Sequence, residues 1–226
     1  MQEISFEKKC LRIRAFLETG VISDRYLPLD AILYYHQVRK QMGEQLISKS
    51  RESAVREYQG IILPLVVKKF EEKSMWFYMC SFAQWPDNTI EESSFKTKQG
   101  DWIRYMDHLD DSTKRIDVQR GRYKAAHIKM YYRLAEYVDW YCIGDPIKIA
   151  SILRFCTNIG KNAGDGWGAV KKWEISDWPE NWSIRGFNNK LMRNIPLKDQ
   201  SGKGYIYGIR PSYWNPKHQF FCKMTE

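Results

Sequence analysis

Residues 144–170 read GDPIKIASILRFCTNIGKNAGDGWGAV, and this stretch decides the fold because it predicts a helix, a glycine-rich loop and a strand in succession. Asp145 followed by Pro146 is typical of a helix start, with Asp145 as the N-cap. The apolar positions after it recur three or four residues apart, as on one buried helix face: Ile149, Ile152, Leu153 and Cys156. We therefore expect a helix that packs on a core and ends at the glycine-rich loop.

The segments around this stretch predict an α+β fold. Residues 8–18 alternate between apolar and other side chains, which is the period of a half-buried strand. The predicted elements, in chain order, are a strand at 8–18, a helix at 28–42, strands at 61–71 and 74–84, a strand at 136–143, the helix from Pro146 and a last strand at 169–175. The order is thus β-α-β-β, an insertion, and then β-α-β, which becomes that of a ferredoxin-like βαββαβ domain when the insertion strands are set aside.

Two polar regions lie outside this pattern. Residues 86–99 are polar and irregular, and residues 102–133 are dense in charge, which indicates an exposed hairpin and not core. We predict one domain at 1–175, carrying a basic, thumb-like hairpin insertion at about 94–134. An irregular C-terminal extension at 176–226 then packs on that domain.

The composition favours a partner that carries negative charge. The chain has 226 residues and a formal charge of +9, with Lys and Arg spread over its whole length. Aromatic residues make up 15% of it, and many stand beside a Lys or Arg. Such rings stack on unpaired bases while neighbouring cations hold phosphates. A basic surface without a specific ligand is the alternative.

The cysteines and the N-terminal residues indicate the cellular compartment of the protein. Five widely spaced cysteines without a C-x-x-C pair predict reduced, mostly buried thiols, with no zinc site or other metal and no cofactor. The N-terminal residues contain no apolar signal core, and no run of about 18 apolar residues occurs in the sequence. We expect a cytoplasmic, soluble protein without a membrane partner.

The glycine-rich loop is the first candidate binding site. Four glycines in nine residues let the backbone take positive φ and come close to a ligand. Lys161 adds a cation and Trp167 a flat apolar surface, so a phosphate-bearing ligand fits. The pattern is neither a P-loop nor a dinucleotide fingerprint, because the helix precedes the loop. A tight helix-to-strand connection remains the alternative. The candidate residues are Gly160, Lys161, Asn162, Gly164, Gly166, Trp167 and Gly168.

A glycine loop of the form Gly-Lys-x-x-x-x-Gly-x-Gly before the final strand resembles that of the RAMP superfamily of CRISPR proteins. Here the motif runs from Gly160-Lys161 to Gly166-Trp167-Gly168. Three further segments strengthen the likeness: DRYLPLDAIL at 24–33, GRYK at 121–124 and RPSYW at 210–214. Together they resemble the Cas-five-type subunit of type IV CRISPR effector complexes, in the Csf family, over most of the chain.

The resemblance implies a role in antiviral defence. Such subunits hold the 5′ handle of the crRNA at one end of a ribonucleoprotein filament, contact the backbone subunit and the large subunit, and meet target DNA only indirectly. It implies that the loop glycines and Lys161 bind the handle and that the insertion acts as a thumb. Asp165 departs from the more basic family loop and would repel a phosphate. The basic candidates outside the loop are Arg104, Arg120, Arg122, Lys124 and Arg210.

Two alternatives to a non-catalytic RNA-binding subunit stay open. Metal-independent RAMP ribonucleases use a histidine near neutral pKa beside a 2′-hydroxyl, and His36 on the first predicted helix is the one candidate. The chain would then be an endoribonuclease that processes precursor crRNA. The second alternative is a general basic RNA-binding module, which would bind random single strands as well as the handle.

Overall fold

The computed structural model describes residues 8–24, 26–42, 60–71, 74–98, 126–197, 203–223 and 225. In this part of the chain the fold is mixed α/β, with mostly strands and two α-helices. In chain order they are β1 Lys9–Leu17, α1 Leu29–Met42, β2 Val67–Lys69, β3 Trp76–Tyr78, β4 Ile90–Lys98, β5 Ala126–Leu134, β6 Tyr137–Gly144, α2 Pro146–Leu153, β7 Val170–Asp177, β8 Ile195–Pro196, β9 Tyr205–Gly208 and β10 Gln219–Lys223.

The central sheet has the order β6-β1-β7, and both pairings are antiparallel. Ile13 lies opposite Trp140 on one side and Ile175 on the other. Ile13 and Trp140 are fully buried under the two helices, whereas every second residue of β1 is half-buried on the opposite face. The predicted alternation of this strand is therefore confirmed.

Helix α2 begins at Pro146, as predicted, but ends at Leu153, so Cys156 lies beyond the helix that we expected to contain it. The Asp145 carboxylate accepts hydrogen bonds from the backbone N–H groups of Ile147 and Lys148, at 3.0 Å each. Its four predicted core positions, at 149, 152, 153 and 156, are all buried. The cap fixes where the helix begins, and the apolar face fixes which side of the helix packs on the core.

Residues 61–84 differ from the two full strands that we predict. β2 and β3 have three residues each and form a separate two-stranded sheet. Single bridges from Leu65, Cys80 and Gln84 tie the segment to β6. The ladder is interrupted because the Cys80 N–H donates locally to the Tyr78 carbonyl, at 2.8 Å. The guanidinium of the buried Arg193 donates hydrogen bonds to the backbone carbonyl oxygens of Tyr78 and Cys80.

A two-stranded antiparallel ribbon, β4 with β5, replaces the irregular stretch predicted at 86–99. Nine residue pairs join the two strands, from Ile90 with Leu134 to Lys98 with Ala126. Most of its side chains are exposed or half-buried, so β4 needs no apolar alternation and the sequence pattern misses it. The part of the insertion between the strands, residues 99–125, lies outside the described residues.

The C-terminal extension is not irregular, which corrects our prediction. It contains a three-stranded sheet of order β8-β10-β9. These strands have two to five residues, too few for a period to show in the sequence. Arg193 joins the extension to the rest of the protein, and the Tyr213 hydroxyl donates to the buried Asp30 carboxylate at 2.6 Å.

The five cysteines are free, and all but Cys10 are buried, as predicted. Burial raises the pKa of Cys156 to about 12, so this thiol stays protonated at neutral pH. Among the described helices, none has the length and apolar character needed to cross a membrane.

Candidate nucleic-acid interface

Three glycines of the loop, Gly160, Gly166 and Gly168, have a left-handed backbone that favours glycine, and two of them also lack room for a Cβ. Gly160 has φ of 80° and Gly168 has φ of 69°, both in the left-handed region. A Cβ at either position would overlap a carbonyl oxygen, that of Ile22 for Gly160 and that of Ile159 for Gly168. Gly164 is different, because a Cβ there would meet nothing within 4 Å. The tight-connection interpretation therefore accounts for Gly160, Gly166 and Gly168 but not for Gly164.

The loop is anchored on the turn that follows β1. The Lys161 N–H donates to the Ile22 carbonyl at 2.6 Å, and the Gly168 N–H donates to the Gly20 carbonyl at 2.8 Å. Between these anchors, residues 163–165 form a short 3-10 turn whose side chains and backbone are exposed. The middle of the loop thus projects into solvent from a fixed base.

Both charged side chains of the loop have partners of opposite sign. The Lys161 ammonium lies 2.7 Å from an Asp24 carboxylate oxygen, and both side chains are exposed. Asp165 binds the Lys96 ammonium of β4. The negative charge that we expected to repel phosphate is therefore balanced by a lysine from the ribbon.

The loop and one face of the ribbon form a continuous surface. Besides the pair of Lys96 with Asp165, the Asn162 side-chain amide lies 3.3 Å from the Met130 sulfur. The half-buried Trp167 ring packs on Tyr132, with ring centroids 4.8 Å apart. Trp167 supports the base of the ribbon through this contact.

The opposite face of the ribbon carries an alternation of rings and cations that the sequence analysis missed. Phe95 stacks on His127 with ring centroids 4.6 Å apart and planes 16° from parallel. The Lys129 ammonium lies 5.0 Å from the centroid of the Tyr131 ring. Phe95 is 56% exposed and Tyr131 is 67% exposed. We call Phe95, His127, Lys129 and Tyr131 the aromatic ladder.

Part of this ladder has a sequence signal. His127, Lys129 and Tyr131 stand two residues apart, as side chains on one face of a strand do. Phe95, in contrast, reaches them only because it pairs with Lys129 across the insertion. The sequence therefore predicts that His127, Lys129 and Tyr131 share a strand face, but it does not predict the strand register that brings Phe95 beside them.

Of the remaining candidates, the two that the structure describes, Arg210 and His36, do not join this surface. Arg210 is only 7% exposed, donates to the Ser74 carbonyl at 2.9 Å and lies 4.5 Å from the Trp76 ring centroid. Arg104, Arg120, Arg122 and Lys124 lie outside the described residues. His36 lies half-buried on α1, edge-on to Tyr35. Partial burial, and after it the charge of Arg39, lowers the pKa of His36.

Within the residues that the structure describes, no group of three or more His, Cys, Asp or Glu side chains is arranged to hold a metal ion. The described residues of the surface offer stacking rings, lysines and exposed backbone.

Comparison with known proteins identifies the family. A search of curated proteins gives no significant match. The family model described as CRISPR type IV associated protein Csf3 matches residues 9–225, which include both helices, the loop, the ribbon and nearly all of the extension. Because the match spans almost the whole sequence, the chain belongs to the CRISPR type IV associated protein Csf3 family, whose members are subunits of type IV CRISPR complexes.

Proposed function

We propose that the chain is the RNA-binding, Cas-five-type RAMP subunit that holds the 5′ handle of the crRNA in a type IV CRISPR effector complex. The observation that carries this proposal is the aromatic ladder, since it exposes two large rings next to a lysine on one face of a ribbon. Stacking of an unpaired base on an exposed ring contributes about 1–3 kcal/mol. Phe95 and Tyr131 would stack bases of the handle while Lys129 pairs with a phosphate.

The glycine-rich loop would hold the RNA backbone on the other side of the ribbon. Its 3-10 turn exposes backbone next to Lys161 and Gly164. The ion pair of Lys161 with Asp24 is exposed, so it stabilises the protein by only about 0–1 kcal/mol. A phosphate can therefore replace Asp24 at little cost. The lack of any steric need for a glycine at 164 agrees with close approach of a ligand there.

The topology supports the same assignment. The sheet order β6-β1-β7, with Cys80 and Gln84 bridged to the free side of β6, agrees with a ferredoxin-like βαββαβ domain. We propose that residues 1–175 are this domain, with the thumb at about 94–134, and that 176–226 pack on it. In the complex its neighbours would be the backbone subunit and the large subunit, with target DNA contacted indirectly.

RNA-binding measurements test this proposal. The double variant Phe95→Ala with Tyr131→Ala removes both rings of the ladder. The control Phe187→Ala with Trp214→Ala removes two exposed rings elsewhere, which are 72% and 49% exposed. Fluorescence anisotropy with the single-stranded handle RNA should show a loss of affinity of at least about tenfold for the ladder variant only. Equal affinities for the two variants would contradict the proposal. Equal binding of handle and random RNA would favour a general RNA-binding module instead.

We further propose that the subunit does not cut RNA. The loop's outer contacts run to residues 19–24 and to the ribbon, whereas His36 lies on α1 beside Tyr35 and Arg39. Precursor repeat RNA incubated with the purified chain, with and without divalent metal, should remain intact. Cleavage that disappears in His36→Ala would instead establish the endoribonuclease.

A further inference from the structure

A groove of about 730 Å³ runs between α2 and β7, away from the ribbon. Its apolar lining includes Ile147, Trp173 and Ile175. Ile147 is 79% exposed, so one wall of the groove faces solvent. The Trp173 indole N–H donates to the Cys156 carbonyl at 2.9 Å, which fixes the ring in place. The groove is therefore a preformed apolar surface.

The groove lies along a strand edge. In the described sheet β7 is an outer strand whose one strand partner is β1. The backbone N–H of its first residue, Val170, donates a hydrogen bond to the Thr157 carbonyl at 2.8 Å. Along the rest of the outer edge, no other described strand pairs with β7, and backbone N–H and C=O groups at such an edge can pair with an added strand. An extended segment in the groove would combine these hydrogen bonds with apolar anchoring.

The charges around the groove indicate which class of molecule it binds. Arg154, Lys171 and Lys172 line it, and the lining contains no acidic residue. A nucleic-acid backbone would satisfy the cations but would gain nothing from the apolar floor. An acidic segment with apolar side chains matches both properties.

We propose that this groove binds an extended protein segment from another subunit of the complex, which presents apolar and acidic side chains on one face and adds to the sheet as a strand beside β7. The apolar side chains lie against Trp173 and Ile175, and the acidic ones meet Arg154 and Lys171. The proposal depends on the chain being part of a multi-subunit complex and not on where the RNA binds.

Photo-crosslinking in the purified complex tests the occupant. Ile147→p-benzoylphenylalanine places a crosslinker at the groove, and the same change at Ile206, which is 68% exposed on β9, is the control. After irradiation, mass spectrometry should identify an acidic segment of one partner subunit, joined at 147 and not at 206. A crosslink from 147 to RNA, to a second copy of this chain, or to nothing would overturn the proposal.

Charge reversal gives a second, independent measurement. Arg154→Glu with Lys171→Glu should lower the crosslink yield from position 147 at least about tenfold, because the acidic segment loses its partners. Lys190→Glu with Lys217→Glu changes the net charge equally at exposed sites elsewhere and should leave the yield unchanged. The two variants should bind handle RNA equally. RNA affinity lost only in the groove variant would show that the groove binds RNA and would overturn the assignment.

Discussion

Gly168 and Gly164 lie in the same loop but meet different demands. Gly168 has φ of 69° and no room for a Cβ, whereas Gly164 has open space around it. We expect Gly168→Ala to lower the free energy of unfolding by about 1–3 kcal/mol, since it forces a strained backbone against the Ile159 carbonyl. Gly164→Ala should change it by less than about 0.5 kcal/mol. Urea unfolding of the two variants measures both values.

Variants at Gly164 and Gly168 also distinguish a glycine that the fold requires from one that a ligand requires. Gly164→Val keeps the open surroundings but adds bulk where the loop would approach RNA. Its affinity for handle RNA should fall while its unfolding curve stays that of the wild type. If Gly164→Ala and Gly168→Ala destabilise the protein equally, the fold needs both glycines and the ligand argument for Gly164 is lost.

At the scale of elements, α2 positions the loop and depends on its N-cap. Asp145 accepts from two backbone N–H groups and is only 8% exposed. Asp145→Ala should therefore lower the free energy of unfolding by about 1 kcal/mol. Asp145→Asn keeps an acceptor oxygen and should stay close to the wild type. Guanidinium denaturation followed by circular dichroism provides the comparison, and equal losses in the two variants would show that the charge of Asp145, and not its acceptor oxygen, stabilises the helix.

Elements that pack on the core were predictable from the sequence, and those that do not were missed. β1 and α2 show their periods because one face of each is buried. β4 is largely exposed, so its sequence carries no such period, and Phe95 joins His127 only through the register of the ribbon. The loop was readable from its glycines, but the ion partners Asp24 and Lys96 come from distant positions. The ion pairs of the loop and the position of Phe95 thus depend on contacts between residues far apart in the sequence.

At the scale of the whole molecule, a buried polar network joins the extension to the core. Asp30 is fully buried at the start of α1, accepts from the Tyr213 hydroxyl and interacts with the charge of the buried Arg193. Burial raises the pKa of Asp30 above its ordinary value. Above that ordinary value, the native state keeps a proton that the unfolded chain has already lost. The free energy of unfolding consequently falls as pH rises through this window.

Asp30→Asn tests the network, because the amide cannot titrate but can still accept from Tyr213. The variant should gain stability relative to the wild type as pH rises from about 4 toward neutral, by up to ~1.4 kcal/mol per pH unit within the window. Urea unfolding of both proteins across this range measures the difference. A difference that does not change with pH would show that Asp30 titrates normally.

The ion pairs of the loop have a consequence for selectivity. Asp24 and Asp165 act as built-in counter-ions for Lys161 and Lys96, so this part of a basic protein presents little net charge to its surroundings. Attraction between charges alone, which draws basic proteins to any nucleic acid, is correspondingly weak here. A duplex offers phosphates but keeps its bases stacked on one another. We therefore expect a strand whose bases are free to lie on Phe95 and Tyr131 to bind this surface more tightly than a duplex does.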